Sequence, residues 1–436
     1  MHLLKLKRGR LVALLKIPFA DIASFPAKRY RLDNGLLLIH QRVTAAPVVT
    51  VDVWVKAGAA TEPEPWSGMA HFLEHMIFKG TNRLLPGQFD QIIENRGGVT
   101  NAATSHDYAH FFVSTAAIDL PDTLPHLADL LLHAAIPDAE FELERDVVLE
   151  EIRQSFDDPD GLGFQVLLET LYQSHPYGRP VLGDAARLVE RSPQEMRWFH
   201  SAHYQPENMT VVVVGDVEWE TTLDLVSRAF TEFPSRADCP RPAVKPEPPL
   251  TGIRRQVLEL PRLGLARLML GWATPGIESL RSAYGMDLLS ALLASGRTSR
   301  LVRELREERY LVQDISSGFS LQRDSSLFTL TAWVDPAHLD QVEAIIGDRL
   351  SELATAPVGE VELKRCQRLL CNDYAFSTET ASQLAGLYGY YSVIAQPELA
   401  VAYPQVISSF QPEELQQLAN QYLSPLRYAA VVLQPA

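Results

Sequence analysis

The sequence predicts an α+β protein built of two related α/β-roll halves, each an antiparallel or mixed sheet packed with helices. Three observations carry this expectation. The order of strand-like and helical patterns in the first half restarts in the second, a proline-rich connection stands between them, and the ends of the halves echo each other. At 436 residues with 46% hydrophobic content, the chain is too long for one ordinary core and has ample apolar material for two.

Taken in order, strand-like runs occupy residues 30–41, around the turn triplet Asp33, Asn34 and Gly35, and then residues 48–57. Helix and strand patterns alternate to a helix over 193–204, a strand over 209–217 and a helix to about residue 232. The connection holds Pro234, Pro240, Pro242, Pro246, Pro248 and Pro249 and reads as a semi-rigid linker. Strands are then expected at 256–260 and 266–273, a helix at 279–294, and further strands at 314–320 and 327–334. Ser192-Pro193-Gln194-Glu195 and the strand 211–214 are echoed by Gln411-Pro412-Glu413-Glu414 and 429–433. The expected division is an N-terminal extension over 1–28, a first half over 29–233, a linker over 234–254 and a second half over 255–436.

A net charge of −15 without a basic stripe opposes binding to a phosphate backbone, so nucleic acid is not an expected partner. No run of about 18 apolar residues is present, so no membrane-spanning helix is expected. Cys239, Cys366 and Cys371 form no CxxC pair and read as inert thiols of a reducing compartment. The basic start (Lys5, Lys7, Arg8, Arg10, Lys16) has too short an apolar stretch for a secretory signal. A cytoplasmic location is the expectation, with an organelle presequence as the lesser alternative.

The chemistry concentrates in His71-Phe72-Leu73-Glu74-His75, within a helix expected to run from an N-cap at Ser67 to a stop at Gly80. Two histidines one turn apart project from the same face, the geometry needed to grip one Zn²⁺. Glu74 sits where it can face a water on that metal and act as general base. Only about 0.02 such motifs are expected by chance in a chain of this composition. A catalytic zinc needs a third protein donor. On the helical pattern from 141 to 155, Phe141, Glu144, Val148, Glu151, Ile152 and Ser155 share one stripe while Glu150 points away. Glu151 is therefore the inward candidate, and Glu144, two turns earlier, is expected beside the ligands, where a charge needs a partner.

These segments resemble the pitrilysin or insulinase family of metallopeptidases, most closely the shorter branch with mitochondrial processing peptidase and its bacterial relatives. The resemblance runs nearly end to end and rests most on His71–Met76, on Glu144–Ile152, and on the interval from His75 to Glu151. It implies zinc ligation by His71, His75 and Glu151, with Glu74 as catalytic base. It also implies that Gly97–Thr104 is an edge strand, where Asn101 and Ala102 meet a peptide or unfolded polypeptide added as an extra strand. In self-sufficient members a substrate-binding Arg is followed seven residues later by a Tyr. Here Arg306 is kept, but Gln313 stands where the Tyr is expected and Tyr310 comes three residues early. The resemblance thus implies the zinc-bearing subunit of a dimer, paired with a related zinc-less chain that supplies an Arg/Tyr pair, or with a second copy. The alternative within the family is a non-catalytic assembly subunit, a class that typically lacks the zinc residues.

Overall fold

The computed structural model describes residues 24–240, 244–261 and 263–436. The expected N-terminal extension falls largely on residues 1–23, outside the described residues, as does Pro242 of the linker.

The first sheet contains β1 (Lys28–Arg31), β2 (Leu37–Arg42), β3 (Val48–Val55), β4 (Val99–Thr104), β5 (Ala109–Ala116) and β6 (Met209–Gly215), in the order β1-β2-β6-β3-β5-β4. All neighbours are antiparallel except β2 beside β6. The second contains β7 (Arg254–Leu260), β8 (Ala266–Pro275), β9 (Val312–Ser320), β10 (Ser325–Val334) and β11 (Ala429–Pro435), in the order β7-β11-β8-β10-β9. Here only β7 beside β11 is parallel. With β1 set aside the two orders are identical, β2 through β6 standing for β7 through β11. The echoing sequence ends therefore occupy equivalent strands, β6 and β11.

Six helices position the site and tie the halves together: α1 (Met69–Ile77), α2 (Asp138–Ser155), α3 (Pro159–Leu171), α4 (Leu280–Ala294), α5 (Glu360–Phe376) and α6 (Ala381–Ile394). By position in the repeat, α1 corresponds to α4, α2 to α5 and α3 to α6. The halves exchange one helix each: α3 lies on β7, β8 and β11, while α6 lies on β3 and β6. This explains the run Val211-Val212-Val213-Val214, which shows no polar alternation, and the burial of Val49–Val55, where even Thr50 and Asp52 are covered. Val211 and Val213 enter the core of their own half, whereas Val212, Val214 and Trp54 join the core of the other. A strand covered on both faces is apolar throughout.

Both exchanged helices approach closely through a glycine. A Cβ on Gly163 of α3 would lie 2.8 Å from the Met269 sulfur, and one on Gly389 of α6 would lie 2.0 Å from Trp54 Nε1. The cysteines are free thiols, and no helix among the described residues is long and apolar enough to cross a membrane.

Candidate metal centre

α1 is short, and its register is set at its start. The expected cap at Ser67 is not the one used: the helix begins at Met69 after Gly68, whose φ of 94° no capping Ser would adopt cheaply. The capping group is the buried Glu62, whose carboxylate accepts from the backbone N–H of Gly68 (2.9 Å) and Ala70 (2.6 Å). Burial pushes its carboxyl up to about 8 despite these bonds. At the other end the helix stops at Ile77, and Gly80, with φ 97°, lies just beyond rather than at the stop.

Phe72, Leu73, Met76 and Ile77 are buried in the first core, which leaves His71, Glu74 and His75 half-buried on the remaining face of α1. α2 packs against it. Phe141, Glu144, Val148 and Ile152 of α2 are buried, while Glu150 is exposed and pairs with Arg153 at 2.6 Å. One residue further on, Glu151 Oε2 stands 3.8 Å from His71 Nε2 and 3.5 Å from His75 Nε2. Ligand atoms of these three residues all lie within 4.8 Å of one another. Two imidazoles and a carboxylate, half-buried and converging from two helices, are the donor set that suits a zinc with an open position.

The protonation states agree with metal binding. Burial, reinforced by the neighbouring His75, pushes His71 down to about 4, so at neutral pH its ring is uncharged and offers a lone pair. His75 Nδ1 lies 2.8 Å from Glu144 Oε1, and the Lys79 ammonium lies 2.5 Å from Glu144 Oε2. Burial raises the Glu144 carboxyl, but Lys79 and His75 together outweigh it and hold the group below its ordinary range. An ionised Glu144 can only accept, so a hydrogen sits on His75 Nδ1 and the bond turns Nε2 toward Glu151.

Glu74 accepts a hydrogen bond from the Thr104 hydroxyl at 2.5 Å. Burial raises its carboxyl and the Thr104 bond only partly reverses this, which makes it a stronger base than a solvated glutamate. Thr104 ends β4, a sheet edge bonded only to β5, and Asn101 and Ala102 lie on the same strand. Beyond Thr104 opens a chamber of about 760 Å³, lined by Ile152, Phe156 and Phe164 of the first half and by Phe319 and Tyr390 of the second.

Lys79, Thr104 and Glu62 hold the residues of the cluster in place, and reasoning from sequence misses them. Lys79 follows His75 by four residues and Thr104 shares the face of Ala102 by strand alternation, so periodicity is an available signal for both. Nothing local marks Glu62. Arg306 is not brought to the cluster: it lies in a π-helical stretch (Val302–Glu308), where Glu307 and Asp314 hold its guanidinium at 3.1 Å each. Tyr310 turns outward, 81% exposed with φ 54°, and Gln313 is exposed on β9.

Fold and cluster define a class, the two-half metallopeptidases with paired α+β repeats. The family described as Insulinase (Peptidase family M16) matches residues 38–185, and that described as Peptidase M16 inactive domain matches residues 192–370. The chain is 30% identical to the zinc protease PqqE of Helicobacter pylori over 93% of this chain and 92% of that protein. It is 29% identical to an uncharacterized zinc protease of Mycobacterium tuberculosis over 96% and 95% of the two chains. A solved protease structure from Helicobacter pylori superposes with a TM-score of 0.87 at 29% identity, covering 94% of this chain and 99% of that one. A Pseudomonas fluorescens structure described as a peptidase M16 inactive domain shares the fold, with a TM-score of 0.84 at 18% identity over 94% and 99%. The chain belongs to peptidase family M16.

Proposed function

We propose that this chain is an active zinc endopeptidase that cleaves peptides or unfolded polypeptide segments. The observation that carries the reading is the convergence of His71 Nε2, His75 Nε2 and Glu151 Oε2 beside a Glu74 carboxylate that Thr104 holds at the sheet edge. His71, His75 and Glu151 would hold the zinc, which when bound acidifies a water and polarises the scissile carbonyl. Glu74 takes the proton of the attacking water as the oxygen bonds to the carbonyl carbon. It then returns that proton to the amide nitrogen as the C–N bond breaks, so atoms balance without a covalent enzyme intermediate. The substrate lies as an added strand along the free edge of β4, where it takes over the Ala102 backbone N–H that now donates to Asn101 Oδ1 at 2.9 Å. Thr104 then couples the strand that carries substrate to the residue that moves the proton.

Two measurements test the site. Purified protein should hold one zinc per chain, lose peptide hydrolysis on chelation and regain it with zinc; hydrolysis indifferent to chelation would sink the reading. Replacing Glu144 by Ala frees the His75 tautomer and leaves Lys79 without its carboxylate. Zinc affinity should fall about 10- to 100-fold, as seen when such outer partners are lost.

Gln313 in place of the expected Tyr, with Arg306 tied to Glu307 and Asp314, supports a further element of the reading. The chain would work as the zinc-bearing subunit of a dimer whose related partner supplies an Arg/Tyr pair. The purified chain alone should then hydrolyse peptides far more slowly than with its partner, and full activity in isolation would refute this element.

A further inference from the structure

The shared topology identifies what the second half holds where the first holds its metal cluster. α4 meets α5 and packs on β9, as α1 meets α2 and packs on β4. At that junction lies a cavity of about 380 Å³. Its wall is aromatic: Tyr284 comes from α4, Tyr374 from α5, Tyr391 from α6 and Tyr403 from the helix after α6. Two carboxylates open into it, Asp287 of α4 and Asp373 of α5, and no Lys or Arg among the described residues lines it.

Asp287 is half-buried and has a single hydrogen bond, from the Tyr403 hydroxyl to Oδ2. Among the described residues, Oδ1 has no partner and no cation pairs with either aspartate. The rings are fixed in place around it. The Tyr284 and Tyr391 hydroxyls share a bond of 2.7 Å, Tyr284 meets Tyr403 edge to face at 4.8 Å, and Tyr374 stacks on Tyr403 at 5.9 Å. A carboxylate sunk among apolar groups without a counter-charge is costly, and here burial, with Asp373 adding repulsion, pushes it up to about 6. Aromatic faces present negative potential to whatever enters. Both features are relieved by the same ligand: a delocalised or alkylated cation that seats its charge on Asp287 and its apolar stem on the rings.

We propose that this cavity binds an organic cation, the guanidinium or alkylammonium end of an arginine or lysine side chain on a bound polypeptide, or of a free amine. Phe319, Leu321 and Tyr390 line both this cavity and the large chamber beside Thr104. A polypeptide in the chamber therefore has a wall in common with the site, and the second half contributes recognition where its repeat lacks the metal-binding residues.

The test is calorimetric titration of the full chain with N-acetyl-arginine amide, with the uncharged N-acetyl-citrulline amide, and with agmatine. The arginine probe should bind, with the citrulline probe at least tenfold weaker. Asp287→Asn should lower affinity for the arginine probe at least tenfold without shifting the thermal midpoint. Tyr374→Leu, which leaves Asp287 and its hydrogen bond in place, should weaken binding severalfold, and it decides the matter if Asp287→Asn does not fold. No binding, equal binding of the charged and uncharged probes, or undiminished affinity in the variants overturns the proposal. Agmatine matching the arginine probe assigns the site to free amines, whereas agmatine failing assigns it to polypeptide side chains; both outcomes uphold the cation site. The probes carry a single residue and the readout is binding, so failure here leaves the peptidase reading standing, and a catalytically dead chain that still binds leaves this one standing.

Discussion

Glu74→Gln should leave the zinc bound and reduce peptide hydrolysis by about 10²- to 10⁴-fold, the usual contribution of a positioned general base. The side chain keeps its size and can still accept from the Thr104 hydroxyl through its carbonyl oxygen, so the local packing has no reason to change. What it loses is the ability to take a proton. His71, His75 and Glu151 are untouched, and metal content measured on the same sample should equal that of the parent. Unchanged hydrolysis would refute Glu74 as the base. Loss of both metal and activity would place it among the ligands instead, a role that its hydrogen bond to Thr104 and its absence from the converging donor set argue against.

The cluster of His71, His75 and Glu151 is legible in the sequence because its signals are periodic and local. Two histidines four apart mark one helix face, and helical phase alone separates Glu151 from Glu150, which the structure shows turned outward to Arg153. Gly97 to Thr104 is readable as an edge strand through its resemblance to a family, since nothing in the segment itself says which strands pair. The cap at the start of α1 misleads because Ser67 satisfies the residue preference, whereas the bonds come from Glu62, outside the local window. The exchange of α3 and α6 lies beyond sequence reasoning for a related cause. Strands apolar on both faces, such as β6, reveal that something covers the second face but not which helix does so. The aromatic cavity of the second half is hidden for the same reason, since its walls come from segments between Tyr284 and Tyr403 with no common period.

Gly389→Ala should destabilise the whole chain by about 3 kcal/mol, the upper end of the usual cost of overpacking. Elsewhere in a helix this change is favourable by about 1 kcal/mol, because alanine is the better helix former. At Gly389 the new Cβ would lie 2.0 Å from Trp54 Nε1 and 2.2 Å from Cδ1. The ring has nowhere to go. It stacks on His110 at 4.2 Å and meets Tyr108 at 4.7 Å, so α6 must lift off β3 and β6 instead. Gly386, one turn earlier on the same helix, provides the control: a Cβ added there would meet nothing within 4 Å, so Gly386→Ala should be neutral or stabilising. Adding Trp54→Phe to Gly389→Ala should restore part of the loss by removing the indole nitrogen, the atom against which the new Cβ would press. Denaturant midpoints measure all three, and equal midpoints for the two alanine variants would show that α6 is not seated as described. The cost should appear in a single transition rather than in one half alone, because α6 belongs to the second half by sequence and to the first sheet by packing. Lifting it exposes Val212, Val214 and Trp54 of one half together with Tyr388 and Tyr391 of the other.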